Sequence, residues 1–570
     1  MRLWGAILVV AAAASAAVAP AGAAPNLRAP AVAGPTAKAL PSVAIDPNGN
    51  AAIAYVDGNE VKVASRAAGG AWGEPQRIAD AGFGDIQPFA GFDGAGNLTV
   101  VWGQAQGEAV FAASRPAGAA AFGPQQQIGD KVNPGLQFHA AFARSGAVLV
   151  VWKRTSDFRV GAVRRPAGGG GFEPQQVLGP DTDRADSPRA AAGEDGTVAV
   201  TWHSQGSPPR IALWRAGAGG WDPPFDLGGP VSRLAQPVPA VDPSGNVLAA
   251  WLTDGGVIAA RVRSAASGTF GPADQIADLP GSAYGTEFFS PPQLAFDGAG
   301  NATILFSQYP ANSQDPWRLY AATRPAGKAF GEPVGLNPDG EHAEYGRLAV
   351  APDGTTLAAW RAGGGRGDQD FRQQTPGAIK AVTGQKGTWG GTHVVSPSDA
   401  YQPAVGLASA GAGAVAWIRL HDSACRQLES SELAEGAAGP FSPPPRSCDP
   451  PDVTPPQAVL GGKTKQRPHT TRRVDLTISC DEACSGTAAA SLTLKPRGRK
   501  SSKAKLSKVS YSEQPGGAAT RIRFTLTRAL ATRLAAVLRG GGSATLAVST
   551  SARDAAGNAT PAKLTVRLVR

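Results

Sequence analysis

Methionine occurs once, histidine six times and cysteine four times in 570 residues, and only 17% of the chain is charged. The histidines, at 139, 203, 342, 393, 421 and 469, form no H-E-x-x-H or other close pair. No C-x2-C pair occurs either, so the common zinc-site spacings are missing and neither a metal nor a cofactor is expected. G-x-S-x-G is absent, and Ser502-Lys503-Ala504-Lys505 matches S-x-x-K only because its surroundings are lysine-rich. Past the N-terminus there is no uninterrupted apolar run of the ~18 residues that a membrane-spanning helix needs. Glycine (73) and proline (48) are what the chain has instead, about a fifth of it, still under the ~25–30% that marks low-complexity disorder. With 42% apolar residues the chain can bury a core, and its length, far above ~250–300 residues, predicts more than one cooperative unit.

Met1-Arg2, an apolar run from Leu3 to Val18 and small residues through Ala21-Gly22-Ala23 follow the order of a secretory signal peptide, with cleavage expected near Ala23. The mature protein is therefore expected outside the cell, secreted or wall-associated and without a transmembrane segment. Four cysteines in that compartment read as two disulfides. Proximity favours Cys425 with Cys448 and Cys480 with Cys484, although three pairings are open on sequence alone.

Self-similarity decides the fold class. DPNGNAAIAY (46–55), DGAGNLTVVW (93–102), ARSGAVLVVW (143–152), GEDGTVAVTW (193–202), DPSGNVLAAW (242–251), DGAGNATILF (297–306), APDGTTLAAW (351–360) and ASAGAGAVAW (408–417) are eight versions of one unit. Their terminal aromatics, from Tyr55 to Trp417, recur every 47 to 57 residues, each with a glycine six positions earlier. Asp-x-x-Gly-Asn supplies a positive-φ residue and side chains that bond their own backbone, the chemistry of a hairpin turn. The strand that follows, such as Leu98 to Trp102, is apolar at successive positions and should be covered on both faces. A third strand and a second recurring aromatic (Trp72, Phe122, Phe172, Trp221, Phe270, Phe330, Trp389, Phe441) give four short strands per repeat. That is the blade of a β-propeller.

Residues 41–449 resemble the broad class of bacterial exported β-propellers, including sialidase-like ones. The S-x-D-x-G-x-T-W Asp-box is absent, since the aromatic lies nine residues after the Asp. The expected fold is all-β: an eight-bladed propeller, with seven blades as the alternative, followed by an immunoglobulin-like sandwich. Phe441-Ser442-Pro443-Pro444-Pro445 makes a poor last outer strand because proline lacks the amide donor. The segment 24–40, through residues 26–33, is therefore expected to close the ring. Arg66, Arg115, Arg165, Arg215, Arg263 and Arg324 end the third strands at equivalent positions and read as structural.

Pro450 to Pro456 is a rigid linker. Residues 457–570 are strongly basic, and their last stretch, Ala552 to Val566, resembles the final hairpin of immunoglobulin-like or fibronectin-like modules. A short helix is expected over Ala529 to Leu538. KPRGRKSSKAKLSK (495–508) places Lys495, Arg497, Arg499, Lys500, Lys503, Lys505 and Lys508 together with no acid, a candidate contact for anionic envelope polymers. Nucleic acid is not expected, because the stretch has no aromatic on which a base could stack. Two long insertions carry Asp315 and Trp317, and Arg366, Asp368 and Asp370, the candidate ligand-binding residues. The expected function is that of a secreted, monomeric, non-enzymatic binding protein whose partner is an envelope polysaccharide or protein. An extracellular glycoside hydrolase is the alternative, and it would need two suitably spaced carboxylates.

Overall fold

The computed structural model describes residues 26–80, 87–104, 108–132, 137–180, 184–204, 207–228, 236–253, 257–278, 291–308, 316–363, 377–408, 411–421, 425–434, 444, 456–480, 484–513, 519–553 and 558–570. The expected signal peptide and nearly all of the linker lie outside them. Among the described residues the protein is all-β apart from two helices, Pro468–Thr471 and Arg528–Arg539. It forms two compact units, Met1–Cys448 and Asp449–Arg570.

In the first unit six four-stranded antiparallel sheets and one nine-stranded sheet account for the repeats. The third repeat is typical: Phe138–Phe142, Val148–Lys153, Val160–Arg165 and Gln176–Leu178 pair in chain order. The larger sheet arises because one long strand, His393–Leu407, serves two repeats. Its start pairs with Gly377–Gln385 as an outer strand, and its end pairs with Gly413–Leu420 as an inner one. Inner strands of successive sheets lie side by side, and His393–Leu407 lies against Ala39–Ile45 of the first repeat, so the series closes on itself. Asn26–Leu27 and Ala31–Gly34 run antiparallel to Arg426–Ala434, in the fourth-strand position of the last sheet. There the Arg28 amide donates to the Glu432 carbonyl at 2.8 Å.

The turn residues act as their chemistry dictates. Asp46 Oδ1 accepts the amides of Asn48 and Asn50, and Asn50 Nδ2 donates to Asp46 Oδ2 at 2.7 Å. Asn50 Oδ1 then accepts the Ala68 amide, tying this turn to the one after the third strand. The same bonds recur at Asp93/Asn97, Asp242/Asn246 and Asp297/Asn301. The terminal aromatics are the largest fully buried side chains, in apolar clusters that join one sheet to the next. Tyr55 and Ile53 pack with Ile418 and Leu428 in this way, across the closure. The third-strand arginines bridge sheets as well. Arg115 donates to Ser65, Arg165 to Thr99, and Arg66 pairs with Glu432 at 2.8 Å.

The second unit has a three-stranded sheet (Ala458–Gly461, Arg473–Cys480, Thr520–Thr525) and a six-stranded one. Leu476, Ile478 and Phe524 of the first share one core with Leu492, Leu546 and Val566 of the second. Its helix, Arg528–Arg539, is capped by Thr527, whose side chain accepts the Leu530 amide. Cys480 and Cys484 are bonded to each other. Cys425 is also disulfide-bonded, and Cys448, the partner expected from proximity, lies outside the described residues.

Candidate binding site at the axial mouth

The inner strands place one residue per repeat in a single row around the axis. Ser42, Phe89, His139, Arg189, Val238, Gln293, Arg347 and Ala404 each pair with the residue just before the buried aromatic of their repeat. All eight line one cavity of about 250 Å³ at one end of the axis. Two residues further along the same strands stand Ala44, Gly91, Ala141, Ala191, Ala240, Ala295, Ala349 and Gly406, which line the channel beyond. The two glycines there are required by close approach: a Cβ on Gly91 would lie 2.2 Å from Phe142, and one on Gly406 would lie 2.7 Å from Val43. The channel is thus bare, and its mouth carries side chains that differ from repeat to repeat.

Bulges aim several of these residues. The register slips just before Arg189, Arg347 and Ala404, where Ser187, Tyr345 and Gln402 take φ values of 48°, 55° and 54°. Such conformations cost of order 1–3 kcal/mol each in non-glycine residues and concentrate at functional sites. Inner strands present an unpaired edge to one another, and row side chains satisfy part of it. Ser42 Oγ accepts the Ala90 amide at 3.2 Å, and His139 Nδ1 accepts the Ala190 amide at 3.2 Å.

Charge at the mouth is one-sided. Among the described residues no Asp or Glu lines this cavity. Among the described residues the Arg189 guanidinium makes no hydrogen bond or ion pair, and its Nε is buried without a partner. Arg347 donates only to the neighbouring Gly346 carbonyl, at 3.1 Å. Enclosure by protein, and for Arg189 the like charge of Arg347, pulls both guanidinium pKa values down to about 10, leaving both charged at neutral pH. The same enclosure and both arginines push the His139 imidazole down to about 3. His139 is therefore neutral, and because Nδ1 accepts the Ala190 amide, its proton sits on Nε2 as a donor. The Phe89 ring packs against it at a tilt of 60°, with ring centroids 5.1 Å apart.

Carboxylates do line the channel further in, at Glu194 and Asp297, but both are occupied. Glu194 accepts the amides of Arg144 and Ser145 at 3.0 and 2.8 Å. Asp297 holds its own turn through Ala299 and Asn301. Among the described residues no group of three or more His, Cys, Asp or Glu is placed to hold a metal ion, and no helix is long and apolar enough to cross a membrane.

Of the candidate binding residues singled out from sequence, Trp317 and the cations of 495–508 are among those described. Trp317 is 4% exposed, its ring packed against His342 at 4.9 Å, so it belongs to the interior. Asp315, Arg366, Asp368 and Asp370 lie outside the described residues. Lys495, Arg497, Arg499, Lys500, Lys503, Lys505 and Lys508 are all exposed, in and around the hairpin joining Cys484–Lys495 to Ser502–Lys505. Register extends this patch: Lys503, Thr493, Thr545, Arg567 and Lys465 form one row across the six-stranded sheet. The described part of these five strands contains no acidic residue.

The row at the mouth was missed in the sequence, although it had a signal: each member lies thirteen residues before the terminal aromatic of its repeat.

No family model and no curated protein matches the chain. Similar solved structures include β-propellers. The Dos1 propeller is 9% identical with a TM-score of 0.43, over 74% of this chain and 96% of that one. A polysaccharide lyase of the PL25 ulvan lyase family is 10% identical with a TM-score of 0.41, over 71% and 95%. The six-bladed Aleuria aurantia lectin is 11% identical with a TM-score of 0.34, over 52% and 96%. At such scores the likeness carries no argument about activity, which has to come from the residues of the mouth.

Proposed function

We propose that this chain is a secreted, non-enzymatic binding protein of the cell envelope or extracellular space. Its first unit is read as an eight-bladed propeller, each repeat giving one blade and His393–Leu407 shared by the last two. The mouth takes the ligand. The second unit, read as an immunoglobulin-like module, tethers the protein to anionic surface polymers through the exposed cations of 495–508 and the sheet face beside them. One observation carries the choice of binding over hydrolysis: the mouth offers unpaired cations and a neutral donor, while both channel-lining carboxylates are held by backbone amides. Glycoside hydrolysis needs two carboxyl groups free to exchange protons or attack.

The alternative, a hydrolase of sialidase-like architecture, draws on Tyr345, which lines the mouth next to Glu344 in sequence. Glu344 is buried and engaged by His342 at 2.7 Å and by Arg361, so it is no free base. The test is retention of the protein on wall polysaccharide fractions, with and without residues 451–570, alongside a reducing-end assay on the same material. Retention without new reducing ends supports binding. Turnover that survives purification and depends on Tyr345 overturns it.

A further inference from the structure

The row of eight register-equivalent residues varies where two neighbouring rows hardly do. Two residues further in, every member is alanine or glycine, and beside it every second strand carries a buried aromatic. Some members serve the fold, Val238 and Phe89 in apolar clusters and Ser42 and His139 on neighbouring amides, but no such role accounts for the two arginines.

Two of the eight are arginines, and among the described residues neither has a carboxylate partner. Residues 1–450 carry more acidic than basic groups, so a general excess of positive charge does not put them there. Holding two guanidinium groups together in an enclosed cavity costs free energy through desolvation and mutual repulsion, and no carboxylate among the described residues offsets it. An oxyanion would. It would meet charge-assisted N–H donors from two sides, the strongest class of hydrogen bond available to a side chain. His139 adds a neutral Nε2–H, and Gln87 and Gln293 line the same cavity with amides. Phe89 adds an apolar side chain to the lining. A cavity of about 250 Å³ suits one small unit rather than a folded chain segment.

We propose that Arg189 and Arg347 bind the oxyanion group of a small hydroxylated ligand, such as a carboxylated or sulfated sugar unit, at the axial mouth. This rests on the reading of the mouth as the ligand site and specifies the ligand's chemistry. Phe89, His139 and the glutamines position the body while the arginines hold the charge.

The experiment is calorimetric titration of the full chain with sodium glucuronate, inorganic sulfate and inorganic phosphate, against glucose, at constant ionic strength. Glucuronate binding with a Kd of about 10 mM or tighter is expected, with glucose showing none. Arg189→Gln and Arg347→Gln should each weaken it about tenfold or more. Their unliganded melting temperatures should stay level or rise, because a repulsion has been removed; a structural role would lower them. Sulfate or phosphate binding alone places the selectivity in the oxyanion and not the sugar. The proposal falls if none of the three oxyanions binds, or if both arginine variants bind like wild type. If neutral glycans are retained while the arginines prove indifferent, the binding function stands and only this inference is lost.

Discussion

Acidification should weaken the ring through one imidazole. His139 is held near a pKa of about 3 by its enclosure and by the positive charges of Arg189 and Arg347. In the unfolded chain it returns to about 6.5. Between these values the unfolded chain binds a proton that the folded one refuses. The stabilisation from a neutral His139 is therefore complete above about pH 6.5 and declines as pH falls toward 3. Linkage between those two pKa values gives a loss of about 2 kcal/mol at pH 5 relative to pH 7.5. All twelve tryptophans precede residue 418, so tryptophan fluorescence reports the first unit alone. Urea unfolding should be followed by that signal at both pH values, for wild type and for His139→Gln, which keeps an acceptor for the Ala190 amide. Other titrating groups act in both proteins and cancel in the difference. Wild type should lose about 2 kcal/mol more than the variant. Parallel losses in the two proteins would refute the claim that the mouth's arginines and enclosure keep this ring neutral.

Trp202→Ala removes a fully buried side chain between two sheets and should cost ~3–5 kcal/mol by the same fluorescence-detected unfolding. Leu27→Ala, in the strand that pairs with Arg426–Ala434, should cost ~2–5 kcal/mol despite its place near the chain's start, because Leu27 is buried with Trp417 and Leu433. Gly91→Ala should lower the melting temperature and disturb the near-ultraviolet spectrum, since its Cβ cannot coexist with Phe142 as placed. Replacing Lys503, Lys505, Lys563 and Arg567 by Ser should move elution from a sulfated resin to lower salt, with the melting temperature nearly unchanged, since all four are exposed on one sheet face.

The parts of this protein that repeat are the parts a single sequence discloses. Asp-x-x-Gly-Asn returns in one repeat after another and does one job, bonding its own turn and the next, so local chemistry suffices to read it. The buried aromatics are legible for the same reason. Trp317 shows the limit: in sequence it stands at the end of a long insertion like a recognition residue, and only packing reveals that its ring is covered by His342. The cationic hairpin at 495–508 is visible as a run of letters, yet Arg567 and Lys465 join its row only through strand register, which no local pattern encodes. The mouth is the instructive case. Its residues share no type, obey no period of two or 3.6, and half of them sit behind bulges that shift the register, so neither hydrophobic pattern nor motif marks them. What marks them is a constant distance from an element that does repeat. In a ring built from copies, packing constrains equivalent positions to equivalent side chains. At this position serine, phenylalanine, histidine, arginine, valine, glutamine and alanine all occur, some of them serving the fold, and the asymmetry that a single ligand requires can reside in the two arginines.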